Sequence, residues 1–245
     1  MPISPNFTSI YEQEWEINFL QCYPNGYLKY TEVCNLFQIT ASKHAELGGI
    51  SFLDMQQFHQ AWVLSKMRVE IQQLPKWGDT ILIKTWINSL ENSRSIRCME
   101  MYLGDKKIIG CETFWAVFNT QTRRPENLAL PNEHFKKYSD RATVETFRKI
   151  TIQPTQELLT RRTVRVSDLD IVNHVNSVKY LEWCLDVVPF TSIQNKEIES
   201  FEMNYLKELS LGNDVEIFNK ACGKESIFSI YHDGKANFAL QLNLK

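Results

Sequence analysis

Residues 168–183 read DLDIVNHVNSVKYLEW and place His174 next to Asn173 and four residues after Asp170. An imidazole takes up or releases a proton near neutral pH, a carboxylate fixes its tautomer or shares its proton, and an asparagine amide holds a water or a carbonyl oxygen. The stretch sits where a strand gives way to a helix. The first peptide N–H groups of a helix lack internal partners and carry the positive end of its dipole, so they can receive an oxyanion. These are the parts needed to hydrolyse an acyl bond with activated water. A plainer reading stands beside it: Asp and Asn are common helix caps, and a histidine between them can serve only a buried polar contact.

Other chemistries find less support. His44, His59, His134 and His232 stand apart without ligand spacing, and no metal or cofactor site is expected from them. The six cysteines, at 22, 34, 98, 111, 184 and 222, form no C-x-x-C pair and read as reduced packing residues. There is no G-x-S-x-G and no glycine-rich phosphate loop. A net charge of −2 with 23% charged residues gives no nucleic-acid footprint. Without 18 consecutive apolar residues or a signal-like start, no membrane association is expected, and the cytoplasm is the simplest location.

The elements that must position His174 follow from an internal repeat. NGYLKYTEV at 25–33 resembles NSVKYLEW at 176–183, with Lys29-Tyr30 on Lys179-Tyr180 at an offset of 150. MRVEIQQLPKWGDTI at 67–81 resembles MNYLKELSLGNDV at 203–215, with Gly78 on Gly212 at an offset of 134, so the first copy carries about 16 more residues between the blocks. In the second copy a strand is expected over 161–166, and a helix over 176–188 whose apolar residues lie all round it. Strands follow at 201–207, 214–221, 226–232 and 236–244, the last two joined by an Asp233-Gly234 turn. The first copy predicts a helix near 26–38 and strands near 64–73, 79–89, 94–103 and 107–119. A buried helix followed by a meander is an α+β pattern. The polar stretch 130–156 reads as a linker, partly helical.

Four blocks carry a family resemblance. VRVSDLDIVNHVNSVKYLEWCLD at 164–186, WVLSKMRVEIQQLPKWGDTI at 62–81, FWAVFNTQTRRP at 114–125 and NYLKE at 204–208 resemble, in order and spacing, the fatty acyl–acyl carrier protein thioesterases. The resemblance implies tandem hot-dog domains, each a long helix wrapped by an antiparallel sheet: residues 1–130 shaping the acyl pocket, a linker over 131–156, and residues 157–245 carrying the reaction. It implies release of free fatty acid from acyl carrier protein, the expected partner, without a cofactor. Monomer and homodimer are both open, because two hot dogs already pair within one chain.

Carried over residue by residue, Asp170, His174 and Glu208 match the family's Asp, His and downstream Glu. Val172 stands where the family usually has Asn, and Asn173 is a candidate replacement. Leu209 stands where a cysteine often follows the Glu, which favours attack by water. The expected scheme uses Glu208, or His174 supported by Asp170, as general base, with the N–H groups near Val175 and Asn176 receiving the oxyanion. In the first copy Pro24 is expected where His174 stands, and Gln73 or Leu74 near Glu208. Arg123-Arg124, Lys136-Lys137 and Arg161-Arg162 are candidates for docking the acidic carrier. Phe52, Leu53, Met55, Phe58, Trp62 and Met67 are candidate acyl-channel residues. Competing readings are an acyl-coenzyme A thioesterase and a non-catalytic acyl-binding module.

Overall fold

A computed structural model describes residues 3–153 and 155–245. They fall into two compact units, one drawn from residues 3–65 and 72–145, the other from 66–71, 146–153 and 155–245.

The first unit contains β1 (Ile10–Glu16), α1 (Tyr30–Leu47), α2 (Phe52–Gln56), the first half of β2 (Gln60–Ile71), β3 (Thr80–Glu91), β4 (Arg94–Leu103), β5 (Lys106–Asn119) and the short β6 (Arg124–Pro125). Strands β1, β3, β4 and β5 pair antiparallel in that order. Strand β1 escaped the sequence because its inner face, Tyr11, Gln13 and Trp15, is only half-buried and broken by a polar residue. Glu12, Glu14 and Glu16 project into solvent, and such charge on an edge strand discourages pairing with other chains.

Helix α1 runs 18 residues and ends at Gly48-Gly49, where Gly49 takes φ 71. That left-handed position suits glycine, and the pair is the stop signal that the expected end near residue 38 overlooked. The helix buries Val33, Phe37, Ala41 and His44 at helical spacing, and burying a side chain such as Phe37 is worth about 1.5–3 kcal/mol. Trp15 Nε1 donates to Thr40 Oγ1 at 3.1 Å and ties helix to edge strand. Buried Glu112 accepts from Arg141 and from the Ala142 and Thr143 amides, pinning that segment against β5. A Cβ on Gly110 would lie 1.9 Å from the Ala142 carbonyl oxygen, so only glycine permits the approach.

The second unit contains β7 (Glu157–Thr163), α3 (Ser177–Leu185), α4 (Phe190–Gln194), β8 (Ile198–Tyr205), β9 (Asp214–Cys222), β10 (Glu225–His232) and β11 (Lys235–Leu244). The order β8-β11-β10-β9-β7 is antiparallel throughout, and residues 66–70 of β2 pair with β8 on its other side. The β10–β11 turn carries Asp233 at φ 49 and Gly234 at φ 69, as the Asp-Gly signal predicts. Buried Glu202 and Asn204 on β8 accept the amides of Arg148 and Ile150, and the Asn204 amide donates back to the Arg148 carbonyl. The segment over 131–156 thus holds no helix among its described residues, and its order comes from buried polar side chains.

Helix α3 is half the length of α1 and ends at Leu185, three residues short of the expected end. Its apolar residues do not run all round: Val178, Tyr180, Leu181, Trp183 and Cys184 are buried, while Lys179 and Glu182 pair at 2.8 Å on a partly exposed face. Each unit is therefore a helix against an antiparallel sheet, the hot-dog arrangement.

Candidate functional site

The segment from β7 into α3 is built by its own backbone. A 3-10 turn over Val166–Asp168 leads to a tight loop in which Asp170 N–H donates to His174 O at 2.8 Å and Asn173 N–H to Asp170 O at 3.1 Å. The Asp170 carboxylate caps the loop from inside, with Oδ1 accepting from Val172 N–H at 3.0 Å and His174 N–H at 3.2 Å. Asp170 therefore holds the His174 main chain through these bonds. Asn173 takes φ 63 and is exposed, a left-handed backbone that Asn tolerates better than most residues. Asn176 caps α3, its Oδ1 accepting from Val178 N–H at 2.9 Å.

The loop after β8 brings the second group. His174 Nε2 lies 3.5 Å from Glu208 Oε2, with side chains 27% and 36% exposed, so solvent reaches both. The contact is long for a hydrogen bond. Backbone bonds set this spacing: Val175 N–H donates to Leu209 O at 2.9 Å, and Asn176 N–H to Asp168 O at 2.8 Å. These two bonds correct the expected oxyanion site, since both N–H groups are already committed within the fold.

The first unit has the same loop in another register than the sequence suggests. Tyr23 N–H donates to Tyr27 O and Gly26 N–H to Tyr23 O, both at 2.8 Å; Leu28 N–H donates to Pro75 O and Lys29 N–H to Gln21 O, both at 2.9 Å. Edge strands β1 and β7 also match, seven residues each with one burial pattern. The offset here is 147, not 150, so Tyr27 and not Pro24 stands where His174 stands. Gly78 and Gly212 do correspond, with φ 85 and 79 and N–H groups on Ile17 O and Val164 O. That places Leu74 opposite Glu208.

The remaining candidates divide. Arg162 is spent inside its unit, its guanidinium 4.2 Å over the Trp183 ring and 3.5 Å from Asp168. Arg161 is 70% exposed while bridging Glu216 at 2.9 Å, and Arg124, Lys136 and Lys137 are exposed. Of the six channel candidates, Met55 is buried with Ile50, Ile87, Val117 and Phe135, with Trp62 packed against them. Leu53 and Phe58 instead face solvent, at 66% and 43% exposure. His44 is a core residue: Nδ1 accepts from Arg97 at 2.7 Å and Nε2 donates to Thr8 O at 2.9 Å. Burial and then the Arg97 charge push its pKa down to about 3, so the imidazole is neutral. Among the described residues no group of three or more His, Cys, Asp or Glu could hold a metal ion. Among them, too, no helix is long and apolar enough to cross a membrane.

The family model of the acyl-ACP thioesterase N-terminal domain matches residues 8–138, and that of the acyl-ACP thioesterase C-terminal domain matches residues 152–240. A dodecanoyl-[acyl-carrier-protein] hydrolase of Cinnamomum camphora is 25% identical over 89% of this chain and 61% of its own length. A palmitoyl-acyl carrier protein thioesterase of Arabidopsis thaliana is 27% identical over 80% of this chain and 48% of its own. The chain thus spans about half to three fifths of these relatives' length. The crystal structure of an acyl-ACP thioesterase from Bacteroides thetaiotaomicron superposes with a TM-score of 0.88 at 23% identity, covering 97% of this chain and 98% of that one, and shares its fold. With both family models matched across most of its sequence, the chain belongs to the acyl-ACP thioesterase family.

Proposed function

We propose that this chain hydrolyses the thioester of fatty acyl–acyl carrier protein, with His174 and Glu208 as the acid–base pair. The observation that carries the reading is their approach to 3.5 Å on two solvent-reached loops, in a member of this family. Glu208, positioned as general base, takes a proton from water as the water oxygen attacks the thioester carbonyl carbon. The carbon–sulfur bond then breaks, and protonated His174 supplies the departing thiolate with its proton. Asp170 keeps His174 in place through the main chain, and Asn173 remains the exposed amide on the same loop tip that can face the oxyanion.

The carrier protein as partner is supported by what the relatives are named for, a dodecanoyl and a palmitoyl carrier-protein substrate. The deciding experiment is release of free fatty acid from carrier-bound thioesters of several chain lengths, beside the matching coenzyme A thioesters and a His174→Ala control. Fast release from the carrier, lost in the control, is expected. Turnover of the coenzyme thioesters alone would make the protein an acyl-coenzyme A thioesterase, and turnover of neither would make it an acyl-binding module.

A further inference from the structure

Asn237 on β11 is 1% exposed, in a strand whose buried neighbours are apolar. Its main-chain oxygen accepts from Leu206 N–H at 2.9 Å and Lys207 N–H at 3.1 Å. Its side-chain Nδ2 donates to Lys207 O at 3.4 Å and Glu208 O at 3.3 Å. Carbonyls only accept, so the NH2 group must face them. Oδ1 is buried with no hydrogen-bond partner among the described residues. A buried amide left half satisfied costs stability, which raises the question of what it is kept for.

The first unit answers by contrast. Ile108 occupies the same register on β5, two residues into the strand, and its main-chain oxygen accepts from Gln72 N–H at 2.9 Å and Gln73 N–H at 3.3 Å. Its side chain is fully buried and apolar. The joint between strand and loop therefore forms without an amide. What Asn237 adds is a grip on the carbonyls of Lys207 and Glu208, at the residue whose carboxylate meets His174.

We propose that Asn237 is a positioning residue: its buried amide, gripping the carbonyls of Lys207 and Glu208, sets the Glu208 carboxylate against His174. The inference rests on the reading of that pair as hydrolytic. Misplacing a reacting group by about 1 Å costs about 100-fold, so Asn237→Ile, the residue type of the first unit, should lower kcat by about 10–100-fold. KM should stay within about twofold, because substrate contacts are untouched, and the melting temperature should not fall. Asn237→Leu, close to asparagine in shape but without a donor, should lose kcat likewise. In a Glu208→Gln background the Asn237→Ile change should cost nothing further, since a residue acting through Glu208 cannot be missed twice. Full kcat in a folded Asn237→Ile protein would overturn the proposal, as would an additive loss in the Glu208→Gln background. Failure of both variants to fold would overturn it too, by making Asn237 a requirement of the core. A wild-type protein that turns over no thioester would instead sink the functional reading on which the inference stands.

Discussion

Loop 23–27 of the first unit and loop 170–174 of the second close with the same pair of main-chain bonds, and each hands its next amide to a carbonyl across the sheet joint. Their side chains differ where it matters. Tyr23, Gly26, Tyr27, Leu74 and Ile108 in one stand against Asp170, Asn173, His174, Glu208 and Asn237 in the other. The first loop even finds a different route to the same cap, with Asn25 Oδ1 accepting from Tyr27 N–H at 3.1 Å where Asp170 serves His174. The backbone is thus a frame that tolerates either set. The first unit closes its joint with buried apolar side chains, Leu74 and Ile108, at the positions of Glu208 and Asn237, and is an internal control for that pair.

The comparison breaks most visibly at the pair itself. His174→Ala and Glu208→Gln are each expected to lower kcat by about 10²–10⁴-fold, the usual contribution of positioned acid–base groups. Tyr27→Ala and Leu74→Gln, their counterparts in the frame, should leave kcat within the range of stability-related losses. Single-turnover hydrolysis on matched, folded proteins measures the difference. Near-normal rates in either of the first two variants would remove that residue from the scheme.

A second difference lies in helix length. α1 runs on to His44, where the neutral imidazole sits between Arg97 and the Thr8 carbonyl; α3 stops at Leu185 and has no such contact. The folded His44 pKa, about 3, lies below the ordinary 6.5, so the unfolded chain takes up a proton first as pH falls. Stability linked to this group is complete above pH 6.5 and drains away toward pH 3, by about 1.4 kcal/mol per pH unit at most. In His44→Gln the unfolding free energy, followed by denaturant titration between pH 6 and 4, should depend on pH less steeply than in the wild type. Equal slopes would mean that His44 is protonated in the fold.

At Asp170 the frame itself is at stake. Its carboxylate satisfies two loop N–H groups, and hydrogen bonds to a charged acceptor are worth about 1.5–3 kcal/mol. Asp170→Ala should therefore lower stability by about 1–3 kcal/mol in a denaturant titration, and Asp170→Asn, which keeps an acceptor oxygen, by less. An Asn variant that folds as stably as the wild type yet loses kcat would show that the charge acts on His174 beyond the loop.

Much of this was legible in the sequence, for definable reasons. Alternating apolar runs and the Asp233-Gly234 turn carry their own local signal, and six of the expected strands fall within two residues of the observed β4, β5, β9, β10, β11 and β3. The register of the first repeat did not, because Lys-Tyr recurs by coincidence while the true equivalence lies in main-chain bonds that Asn25 and Asp170 satisfy from different positions. Asp170 and His174 stood out by type and spacing; Glu208 came only through the family resemblance, since nothing in NYLKE marks its last residue. Asn237 left no trace. A single Asn beside a hairpin turn reads as an ordinary polar strand position, and its meaning emerges only when Ile108 is seen in its place.

The smallest expected effect belongs to Asn173, and it sharpens the comparison most finely. Its counterpart Gly26 takes φ 78, close to the φ 63 of Asn173, so the turn asks for a left-handed residue at this point in both units. Two explanations of an Asn here make opposite predictions for Asn173→Gly, which keeps the backbone at no steric cost and removes only the amide. If the turn accounts for the residue, kcat changes little and Asn173→Val, which is strained at positive φ, is the damaging variant. If the amide faces the oxyanion, Asn173→Gly loses on the order of 100-fold, as removal of such a donor does elsewhere. The shared φ shows that the turn alone is enough to explain an Asn here, and with Val175 and Asn176 already committed the Asn173→Gly rate decides whether this amide serves the oxyanion as proposed.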